Sequence, residues 1–428
     1  MMTRMFPAMV AAMTALPAVA ENRIDIVRPD APELAAIGEH VVGVRTLTFT
    51  NPDQVDILNT GAEGEVARYD RPLTVEVWYP AADGTTPGGT YDTVLRDGVT
   101  QTTLTGRAAR DAASAADDTY PLVIISHGYP GNRFLMAHLG ENIASKGYVV
   151  ASIDHTDSTY SDQSAFGSTL YNRPWDQRFV VDQMESLDDD LGALVQDGNA
   201  AVVGYSMGGY GALIYAGAGV TQESLDFGYS PPQQLLARNL SGSDSHASLS
   251  DDRIKAYVAI GPWGNNSGFF SPDTLAGIDS PLMLIAGEID DVSIYDAMRG
   301  IFDDATGTDR HLLTFQSANH NAGAPMPAPA ESYAPSPATG EPTFGHYGDA
   351  VWDNVRMNNI TQHFVTAWLD QHLKGIDRSA YFDLVPNAQD GVWDRDDAGT
   401  PTQADTYWTG FPNRTAAGLT FETKRAGE

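Results

Sequence analysis

Short runs of continuous apolar residues recur along this chain, and helical patterns separate most of them. The runs are rich in β-branched residues and are flanked by glycine, proline or polar residues, which is typical of strands. Because several are apolar throughout, they predict strands buried on both faces of a parallel sheet. The predicted strands are 41–50, 72–80, 121–128, 147–154, 199–206, 254–261 and 281–288, with 311–318 as a further candidate.

The alternation of strands and helices predicts a doubly wound α/β fold, with a mostly parallel central sheet flanked by helices. The first two strands have no helix between them, so we expect that edge of the sheet to be antiparallel. The predicted helices are 133–147, 178–195, 207–219, 295–305 and 360–375.

Three stretches fall outside this pattern, at about 158–176, 220–250 and 322–350. They lie near the carboxyl ends of strands, where α/β enzymes bind ligands, so we expect these insertions to cap a site. Residues 376–428 are polar but contain seven aromatic residues. Since disordered tails are poor in aromatics, we expect a C-terminal extension packed on one domain, 21–375.

The first twenty residues have the pattern of an export signal. Arg4 provides a positive start, residues 5–16 are apolar, and Ala-Val-Ala at 18–20 forms a cleavage site. The apolar stretch is too short to span a bilayer. We therefore expect an exported protein, either periplasmic or secreted.

Charge and composition restrict the partners and the chemistry. The formal charge is −31, and it becomes −32 when Arg4, the only charged residue of 1–20, is removed. Such an acidic protein is repelled by nucleic acids and anionic membranes, so we expect neither as a partner. With no cysteine, the chain has no disulfide, no cysteine nucleophile and no thiolate metal site.

A G-x-S-x-G motif at 204–208 lies where a buried strand gives way to a helix. A serine on such a turn adopts a strained conformation and needs small neighbours, which Gly204, Gly208 and Gly209 supply. The motif alone is weak, but its context agrees. We predict that Ser206 is a nucleophile, and the alternative is a helix-capping serine.

A serine nucleophile needs a base, and the base needs an orienting acid. In this architecture the acid precedes the histidine along the chain. The loop after strand 281–288 contains Glu288, Asp290 and Asp291. We choose Asp290, because the loop is long enough there to turn the carboxylate toward the site, and Asp291 is its nearest rival.

His320 follows the last predicted strand among small and polar residues, so we predict that it is the base. His346 is the serious competitor. Acyl transfer also requires donors for the developing oxyanion, and the N–H of Met207 is one. In the loop 125–132, Pro130 has no N–H, so Tyr129 is the predicted second donor.

Two further roles are predicted around these residues. His127 is expected to brace the loop 125–132 by hydrogen bonds and not to act as a second base. Large aromatic side chains near a binding edge are candidate pocket walls, although each is also a common core residue. These candidates are Tyr205, Trp175, Trp263 and Phe344.

Four segments carry a family resemblance: "VIISHGYPGNRFLMAHLGENIASKGYVVASIDH", "VVGYSMGGYGAL", "LMLIAGEIDD" and "ANHNAG". In this order, and after an early "VEVWYPA", they resemble the α/β-hydrolase superfamily over roughly residues 40–375. The most similar groups are the dienelactone-hydrolase-like and platelet-activating-factor-acetylhydrolase-like serine esterases. The resemblance implies a catalytic triad with two oxyanion donors and neither metal nor cofactor; its residues are Ser206, Asp290, His320, Tyr129 and Met207.

Two departures from these groups qualify the resemblance, and one motif is also similar to a third group. Dienelactone hydrolases proper use a cysteine nucleophile, which this chain lacks. In the acetylhydrolase group the acid can follow the preceding strand, but here that position, "AIGPWGNNSG", contains no carboxylate. The "SMGG" core is also similar to that of secreted cutinase-like polyester hydrolases, which usually carry a C-terminal disulfide.

Together these features predict an exported serine esterase that cleaves carboxylic esters through an acyl-enzyme intermediate. Alternatives within enzymes are a cutinase-like polyester hydrolase, a lipase or a peptidase. Outside enzymes, the alternative is a non-catalytic binding module on a hydrolase scaffold. The expected partner is a small-molecule or polymeric ester, and the oligomeric state stays open.

Overall fold

The computed structural model describes residues 21–115 and 118–428. The predicted export signal, residues 1–20, lies outside the described residues. The strands of the described part are β1 (Asn22–Arg23), β2 (Val42–Val55), β3 (Arg68–Pro80), β4 (Gly89–Val94), β5 (Gln101–Gly106), β6 (Ala109–Arg110), β7 (Tyr120–Ser126), β8 (Val149–Asp154), β9 (Val195–Tyr205), β10 (Ile254–Ile260), β11 (Leu282–Gly287), β12 (Arg310–Phe315) and β13 (Leu419–Lys424). The helices are α1 (Ala137–Ala144), α2 (Phe166–Glu185), α3 (Met207–Tyr215), α4 (Asp244–Ala247), α5 (Pro272–Leu275), α6 (Tyr295–Asp304) and α7 (Asn354–Leu373).

A large mixed sheet forms the centre of the fold, in the strand order β13-β12-β11-β10-β9-β7-β8-β3-β2-β6. The strands from β12 to β8 in this order are parallel to one another. β2, β3 and β8 pair antiparallel, which confirms the predicted antiparallel edge. Each of the eight predicted strands is present, and the α/β-hydrolase fold is confirmed.

The parallel strands of the sheet are buried on both faces, as the continuous apolar runs predicted, whereas half-buried and exposed residues alternate along much of β2. In β7, Leu122 and Ile124 pack into one core cluster, while Val123 and Ile125 pack into the cluster on the opposite face. This alternation follows from the strand geometry, in which successive side chains point to opposite faces.

A smaller sheet, β1-β5-β4, was not predicted. Its hairpin strands read "GTYDTV" and "QTTLTG", so they carry few large apolar residues. Tyr91 and Thr93 in β4 and Thr102 and Leu104 in β5 are buried, while the residues that alternate with them are exposed or half-buried. A short strand with one modest apolar face gives little signal in the sequence.

Helix α2 begins twelve residues earlier and ends ten residues earlier than the predicted helix 178–195. The predicted insertion 158–176 is therefore helical from residue 166 onward. The helix was predicted to begin after position 174 because a proline there usually breaks a helix interior, since it lacks an N–H.

The helix continues through Pro174 because the carbonyl that loses its helical partner finds others. That carbonyl belongs to Leu170, four residues earlier. It accepts hydrogen bonds from the hydroxyl of Tyr210 at 3.1 Å and from Nδ2 of Asn239 at 3.0 Å. Tyr210 lies in α3, so its hydrogen bond to Leu170 also links α2 to α3.

Residues 376–428 lie against the rest of the chain. β13 pairs antiparallel with β12, and Trp408, Phe411 and Phe421 are buried beside α7. The ring of Phe421 stacks on that of Phe364 in α7 with centroids 5.2 Å apart. Among the described helices, none combines the length and apolar character needed to cross a membrane.

Candidate active site

Ser206 lies on the tight turn between β9 and α3. Its φ of 53° and ψ of −112° are strained values for a residue with a side chain. Its N–H donates to the C=O of Ile260 at 2.8 Å, which ties the turn to the neighbouring strand. Within the described residues its side chain makes no capping hydrogen bond to α3. The geometry therefore differs from that of the helix-capping alternative.

The glycines of the motif are required by close backbone approaches. A β-carbon at position 204 would lie 2.1 Å from the C=O oxygen of Gly208, and one at position 208 would lie 1.9 Å from that of Ser126. Both distances are far below van der Waals contact. Only glycine at 204 and 208 therefore allows the turn to pack between β7 and α3.

Asp290 and His320 form a pair in the loops after β11 and β12, in which the carboxylate is buried and the imidazole is partly exposed. Nδ1–H of His320 donates to Oδ2 of Asp290 at 2.7 Å, and Oδ1 accepts the N–H groups of Val292 and Ser293, both at 2.8 Å. Burial alone would raise the pKa of Asp290, but these hydrogen bonds and His320 lower it overall. An ionised Asp290 favours the proton on Nδ1 of His320, which leaves Nε2 as the acceptor.

Ser206 and His320 converge at the carboxyl end of β10. Ser206 is hydrogen-bonded to Ile260, and the next residue, Gly261, faces the imidazole of His320. A β-carbon at Gly261 would lie 3.3 Å from Cε1 of His320. The ring of Tyr205, beside Ser206, has its centroid 5.1 Å from that of His320. The serine and the histidine therefore lie at the same edge of the sheet.

The two predicted oxyanion donors flank this serine. Met207 is the first residue of α3, and Tyr129 lies in the loop after β7. A β-carbon at Gly128 would lie 3.2 Å from Cβ of Ser206, so this loop runs alongside the turn. Within 21–115 and 118–428, neither the N–H of Met207 nor that of Tyr129 donates to a protein acceptor. Both groups are thus available to a ligand.

The peptide group that carries each donor is held through its carbonyl. The C=O of Gly128 accepts Nδ1–H of His127 at 2.7 Å, and Nε2 of His127 accepts the N–H of His155 at 3.2 Å. The C=O of Ser206 accepts the N–H of Tyr210 at 2.9 Å. A carbonyl that accepts a hydrogen bond makes the N–H of the same peptide group a better donor.

Two of the predicted pocket residues, Trp263 and Tyr205, lie beside the site. The N–H of Trp263 donates to the C=O of Ser206 at 3.3 Å, and its ring packs edge-on against Phe166. Tyr205 stacks near His320, as described above. Phe344 lies in a 3₁₀ turn, Phe344–His346, and its ring packs against that of Tyr333 with centroids 4.7 Å apart, so its role as a pocket wall stays a prediction.

Trp175 is placed differently. It lies in α2, where Nε1–H donates to Asn239 at 2.8 Å and the guanidinium of Arg238 stacks 3.8 Å from its ring. Among the described residues, these contacts do not link it to Ser206 or His320. Its role as a pocket wall stays a prediction.

The rival residues have other partners or face solvent. Asp291 is exposed, and Oε2 of Glu288 accepts the N–H of Ser317 at 2.8 Å. Nε2 of His346 accepts the hydroxyl of Tyr160 at 2.8 Å. Burial, with Arg96 and His320 nearby, lowers the pKa of His346 to about 3, so its ring is neutral.

A second Ser–His–Asp arrangement lies beneath the loop after β7 and was missed from the sequence. Nε2 of His155 accepts the hydroxyl of Ser126 at 2.8 Å, and its Nδ1–H donates to Asp176 at 2.9 Å. Asp176 also accepts two hydrogen bonds from Arg71, at 2.9 and 2.8 Å. All four side chains are buried, so this arrangement braces the fold. The position of His155 directly after β8 was the available signal.

Known proteins resemble parts of this chain. The family model for platelet-activating factor acetylhydrolase, isoform II, matches residues 76–181. Cutinase 2 of Thermobifida cellulosilytica is 36% identical over 97 residues, which cover 23% of this chain and 34% of that protein. The bis(hydroxyethyl) terephthalate hydrolase of Streptomyces coelicolor is 27% identical over 264 residues, which cover 56% of this chain and 77% of that protein. The predicted resemblance to α/β-hydrolase serine esterases is confirmed.

A solved structure extends the likeness to most of the chain. The ferulic acid esterase from Streptomyces cinnamoneus superposes with a TM-score of 0.54, covering 94% of this chain and 99% of that one at 19% identity. At this identity the likeness concerns the fold alone. The match to the cutinases spans only about a third of their own length.

Proposed function

We propose that this α/β-hydrolase-fold chain hydrolyses carboxylic esters through an acyl-enzyme intermediate on Ser206. The observation that carries the proposal is the strained turn that holds Ser206 at the same sheet edge as the Asp290–His320 pair. Strained backbone at a site edge is typical of a nucleophile that must stand clear of its strand. The esterases and cutinases among its relatives support the same chemistry.

The first half of the reaction forms the acyl-enzyme. Nε2 of His320 takes the proton of the Ser206 hydroxyl while Oγ attacks the ester carbonyl carbon. The N–H groups of Met207 and Tyr129 donate to the oxyanion of the tetrahedral intermediate. Collapse breaks the bond to the alcohol oxygen, which receives the proton from His320.

The second half releases the acid. A water molecule gives a proton to His320 and attacks the acyl carbon, and the new tetrahedral intermediate expels Oγ of Ser206, which regains the proton. Asp290 orients the imidazole and stabilises the imidazolium that forms in both halves. These steps use no metal and no cofactor.

The direct test is Ser206→Ala. We expect the turnover of p-nitrophenyl acetate to fall by about 10³-fold or more, because the nucleophile is lost. Ser186→Ala is the matched control, since Ser186 is exposed at the end of α2. Full activity in Ser206→Ala with a native melting temperature would overturn the proposal.

A fluorophosphonate probe separates an enzyme from a binding module on the same scaffold. An activated serine displaces fluoride and becomes covalently phosphonylated, whereas an unactivated serine does not react. We expect one adduct per chain, mapped by mass spectrometry to the peptide that contains Ser206. An unlabelled native protein would favour the binding module.

The export signal belongs to the same proposal. Its supporting pattern is the positive start, apolar stretch and small-residue cleavage site of residues 1–20. Expression of the full chain in a bacterial host, followed by fractionation, should place a protein with Glu21 at its N-terminus in the periplasm or medium. An uncleaved protein in the cytoplasm would contradict export.

Polymeric esters are a second candidate substrate class. Ile289 and Val292, in the loop that carries Asp290, are 55% and 47% exposed. Exposed apolar side chains beside a site are suited to contact with an apolar surface. Release of soluble products from a polyester film, compared for the native protein and Ile289→Ser/Val292→Ser, tests this. If the double variant loses as much activity on soluble esters as on the film, Ile289 and Val292 do not contribute specifically to contact with a polymer surface.

A further inference from the structure

Helix α2 reaches both segments that carry the predicted oxyanion donors. Nη1 of Arg173 donates to the C=O of His127, and its Nη2 donates to Oγ of Ser158 at 2.5 Å. One turn later, Nε2 of Gln177 donates to the C=O of Gly208 at 3.0 Å. His127 stands two residues before Tyr129, and Gly208 directly follows Met207.

We propose that Arg173 and Gln177 are positioning residues that set the separation and direction of the two oxyanion donors. The inference rests on the proposed function, because it concerns the donors used in ester hydrolysis. A rigid helix with side chains one turn apart fixes two loop segments relative to each other. Misplacement of such groups by about 1 Å can lower a rate by about 10²-fold.

The packing gives α2 little freedom to shift. Both Arg173 and Gln177 are fully buried. A β-carbon at Gly211 in α3 would lie 2.5 Å from Cγ of Arg173 and 2.9 Å from Nε2 of Gln177. The hydroxyl of Tyr210 adds the hydrogen bond to Leu170 described above. Movement of either side chain would therefore be transmitted to the oxyanion segments.

The partners of Arg173 distinguish it from a residue that merely pairs a charge. Among the described residues its guanidinium donates to carbonyl and hydroxyl oxygens, and its buried Nε has no partner. Arg71, by contrast, takes up the nearby carboxylate of Asp176 through two hydrogen bonds. A buried cation without a carboxylate partner is unfavourable. Arg173 is stabilised instead by hydrogen bonds to the C=O of His127, in the oxyanion loop, and to the hydroxyl of Ser158.

The test compares an ester with its thionoester in the variants Arg173→Met, Arg173→Lys and Gln177→Met. Sulfur is a weak hydrogen-bond acceptor, so a thionoester gains little from the oxyanion donors. We expect the ester kcat/KM to fall about 10- to 100-fold, mostly in kcat, in Arg173→Met and Gln177→Met. The thionoester kcat/KM should fall much less, and Arg173→Lys should recover part of the ester rate.

Arg178→Met is the matched control, because it makes the same arginine-to-methionine change in α2, directly after Gln177. Its guanidinium contacts the C=O of Ser248, away from both donor segments. We expect its ester-to-thionoester ratio to equal that of the native protein.

An unchanged ester-to-thionoester ratio in Arg173→Met and Gln177→Met, whether or not both rates fall, would overturn the inference and leave a structural role only. If Arg173→Met does not fold, the ratio for Gln177→Met decides the outcome. An active native protein with unchanged ratios rejects this inference alone. A native protein that hydrolyses no ester and takes up no fluorophosphonate rejects the proposed function and the inference with it.

Discussion

Nδ1–H of His320 donates to Oδ2 of Asp290 at 2.7 Å, while the other carboxylate oxygen of Asp290 is occupied by two backbone N–H groups. The carboxylate therefore has one orientation, and the imidazole is held in the tautomer that leaves Nε2 as a base. Asp291, one residue further, is exposed. Two adjacent aspartates in one loop thus have different environments, and substitution of each one separates their roles.

Asp290→Asn should lower the ester kcat/KM by about 10⁴-fold, because the amide no longer stabilises the imidazolium and favours the wrong tautomer. Asp291→Asn should change it by less than threefold. Steady-state hydrolysis of p-nitrophenyl acetate by both variants, with melting temperatures as a check on folding, measures this. A larger loss at 291 would show that the acid has been misassigned.

The parallel strands of the main sheet could be predicted from the sequence because they are apolar on both faces. The strands of the small β1-β5-β4 sheet could not, since one face of that sheet is polar and each strand is short. The strand β13 was hidden in a polar tail, although its buried Phe421 was counted among the aromatics that predicted packing. A short stretch of sequence identifies a buried strand only where the whole strand is apolar.

The candidate site divides in the same way. The order of loops after buried strands was enough to predict Ser206, Asp290 and His320 as candidates, because parallel strands bring their carboxyl ends to one edge. Arg173 and Gln177 could not be selected, since their role depends on where α2 crosses α3. That crossing rests on contacts between distant residues, and Pro174 obscured the helix itself.

Gly208→Ala should prevent the turn at Ser206 from forming as it stands. The added methyl group would lie 1.9 Å from the C=O oxygen of Ser126, so the backbone must move. We expect a loss of about 3 kcal/mol or more in the free energy of unfolding, since strain and overpacking add. In Gly228→Ala the methyl group meets open space. Urea unfolding of both variants checks this, and equal midpoints would contradict it.

Asp176→Asn should destabilise the fold in a pH-dependent way. Burial would raise the pKa of Asp176, but Arg71 and His155 hold it well below its ordinary value. Because the folded pKa is the lower one, the stabilisation is present above the unfolded pKa of about 3.9 and is lost as pH falls through the folded pKa. We expect Asp176→Asn to lower the free energy of unfolding by about 3–5 kcal/mol at pH 7. The difference from the native protein should become smaller below about pH 4.

Urea unfolding of the native protein and Asp176→Asn at pH 7 and pH 3 measures this difference. Asp182→Asn is the matched control on the same helix, because Asp182 pairs with Arg253 at the surface. Its cost should stay below about 1 kcal/mol at pH 7. A gap between Asp176→Asn and the native protein that does not change with pH would show that the carboxylate charge is not what stabilises this network.

Asn321→Ala should loosen the segment that follows the base. Nδ2 of Asn321 donates to the C=O groups of Gly345 and Gly348 at 3.0 and 2.7 Å, and Oδ1 accepts the hydroxyl of Tyr205 at 3.2 Å. The variant removes the hydrogen-bond partner of the buried Tyr205 hydroxyl, which costs about 1–3 kcal/mol. The other two carbonyls lose less, because Gly345 is exposed and the C=O of Gly348 keeps Nδ2–H of Asn319 at 3.3 Å. Since Asn321 directly follows His320, we expect kcat/KM to fall about 10-fold.

Limited proteolysis provides the second measurement for Asn321→Ala, with cleavage expected to accelerate within 322–350. Asn59→Ala, in an exposed turn, is the control for an asparagine-to-alanine change. Faster cleavage with an unchanged kcat/KM would mean that this segment is fastened by Asn321 but does not help to place His320. Unchanged cleavage and unchanged kcat/KM together would contradict the prediction entirely, because three hydrogen bonds would then have been removed without effect.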